Sequence, residues 1–276
     1  MEIVIILYMV LICLPLKPLL KKIIDRDYGK ISKKIVIALR NELKSSGRKG
    51  YVFGLSGGLD SSVVAGLISR AVGKAGFALV MPSSRATPVR DVDDAIDLVK
   101  LLNIQSRVID LTDIHSSILS ELPPDRLSSG NLLARIRMCM LYYYANQKNF
   151  LVAGTSNRSE LLIGYFTKHG DGGADILPLA SLYKTQVRAL GHHLKLPDAI
   201  LGKKSAPMLW ERHTAEEEIG VPYEEIDTIL YCLFDLKLSP KNTAKKLGVA
   251  FEKVEKIRQM NSNSTHKRNL PKICKL

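Results

Sequence analysis

The sequence has few cysteines, and none of them lies in a pattern that binds a metal. The four residues Cys13, Cys139, Cys232 and Cys274 are scattered along 276 residues, with no CxxC pair and no Cys/His cluster at zinc spacing. This distribution indicates reduced, mostly structural thiols and predicts a cytoplasmic protein. The chain also lacks an internal repeat and a low-complexity tract, which is typical of an ordinary globular enzyme or binding protein.

The sequence also lacks a hydrophobic run of the length that spans a membrane. Residues 3–16 are nearly all apolar, but the run contains Pro15 and falls short of the ~20 residues that a spanning helix needs. A signal peptide would carry positive charge before the run, whereas here Glu2 precedes it and lysines follow. We therefore expect residues 1–27 to form an apolar N-terminal extension or an added packing helix. A membrane anchor is the alternative, and stable membrane association is not expected.

Positive charge is in excess. The chain has 40 Lys and Arg against 27 Asp and Glu, a formal net charge of +13. Such an excess favours anionic partners, namely polyphosphate ligands, nucleic acid or an acidic membrane surface. Charge alone does not choose among them.

Short apolar runs alternate with helical patterns along the first two thirds of the chain. Strands are predicted at 51–55, 77–81, 106–111 and 150–154, and helices at 31–43, 60–72, 91–102 and 131–146. This alternation predicts an α/β fold, a doubly wound parallel sheet with helices on both faces. After Ser181 the pattern is mainly helical. Ligands of such sheets bind at the carboxyl ends of the strands.

The segment SGGLDSS at 56–62 lies between a predicted strand and a predicted helix. Its two glycines allow backbone N–H groups to approach phosphate oxygens, and the following helix N-terminus favours anions. Asp60 offers a carboxylate for Mg²⁺. A tight glycine turn with a helix cap is the alternative, but the combined pattern favours a phosphate loop. It is neither a Walker loop nor a GxGxxG motif.

SGGLDSS resembles the pyrophosphate loop of the ATP-pyrophosphatase family, whose members cleave ATP to AMP and pyrophosphate. Further segments resemble NAD synthetases, and they are GNLLARIRM at 130–138, GTSNRSE at 154–160, GYFTKHGDGGAD at 164–175, LYKTQV at 182–187 and HKR at 266–268. The resemblance runs from about Tyr28 to Pro271. It implies a single NAD synthetase domain over residues 28–276.

The resemblance also implies site residues. It assigns ATP to Gly54, Leu55, Ser56, Gly57, Gly58, Leu59, Asp60, Ser61, Thr155, Lys184 and Ser205. It assigns Mg²⁺ to Asp60 and Glu160, and deamido-NAD to Arg135, Lys168, Asp175, His266 and Lys267. Taken singly, Arg135 could form a structural ion pair, Asp175 could cap a turn, and the residues 266–268 could be a solvated tail.

The chain departs from the family pattern after residue 203. NAD synthetases usually carry PSAxL followed by GQxDExELG, whereas this chain has KSAPML at 204–209 and RHTAEEEIG at 212–220. The family's Gln is replaced by His213 and its Asp by Ala215, which puts the contribution of this segment in doubt.

The resemblance implies a carbon–nitrogen ligase that makes NAD from deamido-NAD, ATP and ammonia, by way of an adenylylated carboxylate. No covalent side-chain nucleophile is needed. Free ammonia is the expected donor, because glutamine-using relatives carry a further hydrolase domain and Cys13 lacks neighbours that would form a thiolate. A homodimer is also implied.

Three other functions fit parts of the sequence. A tRNA-modifying ATP pyrophosphatase would suit the charge, but it lacks the NAD synthetase segments and commonly has a catalytic cysteine pair. A DNA-binding helix-turn-helix would fit the pattern of residues 239–260, although simple helical packing explains it as well. We therefore expect no nucleic-acid partner. A non-catalytic nucleotide-binding relative is the third.

Overall fold

The computed structural model describes residues 16–84, 86–203, 205, 210 and 214–274. Four parallel strands form one sheet, and they are β1 (Tyr51–Gly54), β2 (Gly76–Val80), β3 (Gln105–Val108) and β4 (Leu151–Val152). Their order across the sheet is β3-β2-β1-β4. The four predicted strands are confirmed, although β3 and β4 end earlier than their apolar runs.

Helices make up most of the remaining described chain. Those before and within the sheet region are α1 (Leu16–Ile24), α2 (Tyr28–Ser46), α3 (Leu59–Val72), α4 (Val89–Leu102), α5 (Thr112–Leu119), α6 (Arg126–Lys148) and α7 (Arg158–Ile163). Those that follow are α8 (Lys184–His193), α9 (Asp198–Leu201), α10 (Ala215–Ile219), α11 (Tyr223–Leu230), α12 (Pro240–Leu247), α13 (Phe251–Asn263) and α14 (Thr265–Arg268).

The sheet is covered on both faces, as the sequence predicts. Side chains alternate between the faces of a strand, so Tyr51 and Phe53 enter one core and Val52 enters another. The first core contains residues of α2, α3, α4 and α8, and the second is filled mainly by α6. The fold is therefore a doubly wound α/β sheet.

The order of the strands reverses at β1. The chain runs from β1 outward to β2 and β3 on one side, and then returns to place β4 on the other side of β1. Ligands of open parallel sheets bind where the order reverses, between loops that leave toward opposite faces. The loops that follow β1 and β4 meet at this point.

A third apolar core joins the two ends of the described chain. It is formed by α1, α7 and the helices from α10 to α13, and it includes Ile23, Ile226 and Ile257. No strand occurs among the described residues after Ser181, which confirms the mainly helical C-terminal part.

Helix α1 belongs to this core. Leu16, Leu20 and Ile23 are buried, and the backbone carbonyl of Ile23 accepts a hydrogen bond of 2.8 Å from Gln186 Nε2. Residues 1–15, with Cys13 and nearly all of the apolar run, lie outside the described residues. The boundary at residue 27 stays a prediction. None of the described helices has the length and apolar character that crossing a membrane requires.

Replacing Ile23 with Ala is expected to lower the free energy of unfolding by about 2–4 kcal/mol, because it leaves a cavity between α1 and the helical core. Urea unfolding would measure the change. Ile37→Ala is the matched control, since Ile37 is 54% exposed on α2 and its loss is expected to cost about 0.5 kcal/mol or less. Equal small losses in both variants would contradict the packing of α1.

Candidate active site

A cavity of about 970 Å³ opens at the carboxyl ends of β1, β2 and β4. It is near the upper end of the roughly 300–1,000 Å³ typical of ligand pockets. Its wall includes most residues predicted to bind ATP, namely Gly54, Leu55, Ser56, Gly58, Leu59, Asp60, Ser61, Thr155, Lys184 and Ser205. Residues that are 150 positions apart in sequence thus surround one space.

The loop between β1 and α3 has a backbone that requires glycine. Gly57 has a φ of +75°, and a Cβ atom there would lie 2.1 Å from the carbonyl oxygen of Asp91. Within the loop, Ser62 Oγ donates to the carbonyl of Gly58 over 2.7 Å, and Ser61 Oγ accepts from the Ser56 N–H over 3.2 Å. The N-terminus of α3 faces the cavity, where its free N–H groups and dipole favour an anion.

The wall contains a buried cation, Lys184, which is 2% exposed. Its Nζ donates to Asp60 Oδ2 and, over 3.2 Å, to Glu160 Oε1. Burial alone would lower the pKa of Lys184, but the carboxylates of Asp60 and Glu160 raise it above its ordinary value. Burial raises the pKa of Glu160, against the opposing effect of Lys184. The lysine therefore keeps its charge.

Asn157 holds the two carboxylates together. Its Nδ2 donates to Asp60 Oδ1 over 3.0 Å, and its backbone N–H donates to Glu160 Oε2 over 3.2 Å. Its Oδ1 accepts from the Glu160 N–H, which completes a capping box at the start of α7. Asn157 is not among the residues predicted from the sequence, although an Asn three residues before a Glu is a pattern typical of a helix start.

Asp227 on α11 does not line the cavity but is linked to Lys184 through hydrogen bonds. It accepts hydrogen bonds from the Ser159 hydroxyl and from the N–H and hydroxyl of Thr185, the last two over 2.8 Å. Ser159 Oγ in turn accepts from the Lys184 N–H over 2.9 Å. The starts of α7 and α8 are thereby tied to the helical core.

Arg137 is a further wall residue that sequence reasoning did not assign. Its Nε donates to the carbonyl of Met81 over 3.2 Å. Burial lowers the pKa of Arg137 to about 10, and the charge of Asp171 opposes this. Arg135 and Arg137 lie two positions apart on α6. Which of them faces the cavity depends on the orientation of the helix, which the sequence pattern does not give.

A family model described as NAD synthase matches residues 31–271. The chain belongs to the NAD synthase family. It is 48% identical over 255 residues to the NH(3)-dependent NAD(+) synthetase of Hyperthermus butylicus, covering 91% of this chain and 92% of the relative. It is also 48% identical over 262 residues to that of Staphylothermus marinus, covering 93% and 95%.

Two solved structures resemble the chain over nearly its whole length. The structure of NMN synthetase from Francisella tularensis has a TM-score of 0.81 and 37% identity, covering 91% of this chain and 100% of that one. An NH3-dependent NAD synthetase from Campylobacter jejuni has a TM-score of 0.78 and 31% identity, with the same coverage. The doubly wound fold of this chain is therefore the fold of both solved structures.

Asp60 and Glu160, the two residues predicted to hold Mg²⁺, have carboxylates that could bind such an ion. Both already converge on one cation, the Lys184 ammonium, at the cavity wall. Mg²⁺ prefers hard oxygen ligands and is often held by one or two carboxylates together with substrate phosphates. Within the described residues, no three His, Cys, Asp or Glu side chains group as a metal cage. A phosphate-assisted site is the kind that these residues can form.

Five residues were predicted to bind deamido-NAD, and the structure brings one of them to the cavity. Lys267 lies on the wall, and its Nζ donates to the carbonyls of Gly164 and Phe166, each over 2.8 Å. Asp175 instead accepts from the Val152 N–H over 2.7 Å, at the edge of β4.

The other three residues lie off the cavity wall of the single chain. Arg135 and His266 are exposed, and Lys168 is partly buried. Their roles, and that of Asp175, stay predictions.

The segment that departs from the family pattern is described only in part. Ser205 lines the cavity, and Ala215 is buried at the start of α10, where Thr214 caps the helix. His213, with residues 204, 206–209 and 211–212, lies outside the described residues.

The buried carboxyl of Asp227 makes the stability of the fold depend on pH. Burial raises its pKa from 3.8 to about 6, although the hydrogen bonds from Ser159 and Thr185 act the other way. A carboxyl with a raised pKa in the folded state contributes stability below pH 4 that is lost as the pH rises through 6. The stability of the wild type relative to Asp227→Asn is expected to fall by about 2 kcal/mol between pH 4 and pH 7.

Urea unfolding of both proteins across this pH range would measure the difference. Asp97→Asn serves as the control, because Asp97 is exposed and paired with Lys100 on α4. A stability difference between wild type and Asp227→Asn that stays constant with pH would contradict the assignment.

Proposed function

We propose that this chain is an ammonia-dependent NAD synthetase, a ligase that amidates deamido-NAD and converts ATP to AMP and pyrophosphate. One observation carries the proposal. In a member of the NAD synthase family, the Lys184 ammonium lies between Asp60 and Glu160 on the wall of a cavity that also contains the phosphate loop.

The first step is activation of the carboxylate. A carboxylate does not react with ammonia directly, because oxide is a poor leaving group. An oxygen of the nicotinate carboxylate therefore attacks the α-phosphorus of ATP, and the bond from that phosphorus to the pyrophosphate oxygen breaks. The products of this step are an acyl-adenylate and pyrophosphate. The protein contributes position and charge and forms no covalent bond.

The residues for this step are on the cavity wall. The N–H groups of the loop at 56–61 and the N-terminus of α3 can hold the pyrophosphate. Lys184 can neutralise the charge that develops on it. Asp60 and Glu160 would hold Mg²⁺, which supplies further neutralisation of the phosphates when bound.

The second step is amide formation. Neutral ammonia attacks the acyl carbon of the adenylate, loses a proton, and expels AMP with the oxygen that came from the carboxylate. Ammonia as the donor is supported by the NH(3)-dependent relatives, which the chain matches over 92% and 95% of their lengths.

A homodimer is part of the proposal. Arg135 lies off the cavity wall, on an outward face of α6 that also carries Cys139 and the 62%-exposed Tyr143 at four-residue spacing. A second copy that covers this face would bury Tyr143 and bring Arg135 into a subunit interface. Deamido-NAD bound near that interface would then be within reach of Arg135.

Amidation of the corresponding mononucleotide is a second candidate. The specific observation in its favour is the likeness to the NMN synthetase from Francisella tularensis, with a TM-score of 0.81. Both reactions would use the same adenylylation site, and the substrates differ in the adenylate half that the cavity must accept.

The test is an assay of the purified chain with ATP, Mg²⁺ and ammonium, and with deamido-NAD or the deamido mononucleotide as acceptor. We expect NAD, AMP and pyrophosphate in equal amounts, with deamido-NAD preferred.

Replacing ammonium by glutamine is expected to abolish turnover. Only neutral ammonia attacks, so turnover at limiting ammonium should increase above neutral pH. A preference for the mononucleotide would favour the second candidate, and ADP as product would contradict both.

Two variants connect the assay to the site. Asp60→Asn removes a carboxylate that pairs with Lys184 and would hold Mg²⁺, and it is expected to reduce turnover by roughly a hundredfold or more. Asp97→Asn, at an exposed ion pair on α4, is expected to retain wild-type turnover. Near-normal AMP formation by Asp60→Asn would contradict the assigned site.

A further inference from the structure

Lys203 links the phosphate loop to α4. Its Nζ donates to the carbonyl of Gly57 over 2.9 Å and pairs with Asp91 Oδ1 at 2.5 Å and Asp94 Oδ2 at 2.6 Å. The three side chains are 17%, 11% and 19% exposed. Screening by solvent is therefore weak compared with the Lys100–Asp97 pair, whose side chains are 71% and 74% exposed.

The hydrogen bond to Gly57 fixes the direction of one peptide group in the loop. A trans peptide is planar, so its C=O and N–H point in opposite directions. Lys203 holds the carbonyl of Gly57, and the N–H of Gly58 therefore points to the other side, where Ser56 Oγ accepts it over 3.3 Å. Ser56 and Gly58 both line the cavity. A reversed peptide would turn the Gly57 carbonyl oxygen toward the side where the phosphates of ATP are proposed to bind.

Lys203 also balances charge beside the loop. Asp91 and Asp94 lie in the first two turns of α4, where the backbone of Asp91 lies against Gly57 and both carboxylates pair with Lys203. Two unpaired carboxylates in this partly buried position would repel a polyphosphate. The lysine neutralises one of the two charges and holds both in place.

We propose that Lys203 is a positioning residue for ATP. Lys203 orients the Gly57–Gly58 peptide and offsets the charge of Asp91 and Asp94. The inference rests on the proposed function in taking ATP as the polyphosphate. It assigns to Lys203 a role in binding one substrate, without contact to the reacting atoms.

Steady-state kinetics of Lys203→Met test the proposal. The KM for ATP is expected to increase about tenfold or more, the loss typical of a hydrogen bond to a charged group. The KM for deamido-NAD and kcat are expected to change by less than about threefold, because the acceptor site is untouched. Lys203→Arg keeps the charge and a donor, and it is expected to recover most of the ATP affinity.

A second set of variants separates charge from orientation. Adding Asp91→Asn and Asp94→Asn to Lys203→Met removes the repulsion and is expected to lower the KM for ATP below that of Lys203→Met alone. Lys100→Met is the control, since it removes an exposed lysine from α4 and is expected to behave as wild type. A wild-type KM for ATP in Lys203→Met, or equal increases for both substrates, would overturn the proposal.

Direct binding distinguishes this inference from the proposed function. Calorimetric titration with ATP and Mg²⁺ in the absence of acceptor is expected to show a Kd increased about tenfold in Lys203→Met. If the wild type formed no NAD and this difference were still present, the proposed function would fail and the inference would stand. Equal ATP affinities in the two proteins would overturn the inference whatever the turnover.

Discussion

The charge of a buried lysine sets the arrangement of this site. A buried ammonium is costly unless it is paired and hydrogen-bonded, and Lys184 is 2% exposed. Its partners are Asp60, 124 residues earlier in the chain, and Glu160, 24 residues earlier. The N-termini of α3, α7 and α8 must therefore lie close together, because otherwise the buried charge of Lys184 would be unpaired. The same requirement places two carboxylates and a cation beside the loop between β1 and α3.

The two parts of the fold meet at this lysine. The sheet supplies the cavity side, because the reversal of strand order at β1 places the loops after β1 and β4 next to each other. The helical core contributes Asp227, which accepts hydrogen bonds from Ser159 and Thr185. Because α1 packs into that same core, residues near the start of the described chain contribute to the support of the site.

The sequence predicts the architecture and the glycine turn after β1 well, for a physical reason. Strand and helix patterns are local, and SGGLDSS encodes a local backbone shape that needs glycine at Gly57. Contacts between distant residues leave no such local signal. Asn157, Asp227 and Lys203 act through partners 97, 68 and 146 residues away, and sequence reasoning did not find them. Arg135 and Arg137 differ only in helical face, which the sequence pattern did not resolve.

The central claim is that the cavity transfers the adenylyl group of ATP to a carboxylate oxygen. Isotope transfer tests it most directly, using deamido-NAD with both carboxylate oxygens labelled as ¹⁸O, together with ATP, Mg²⁺ and ammonia. After turnover, mass spectrometry is predicted to find one ¹⁸O atom in AMP, one in the amide of NAD and none in pyrophosphate. Unlabelled AMP, or label in pyrophosphate or in inorganic phosphate, would contradict the account.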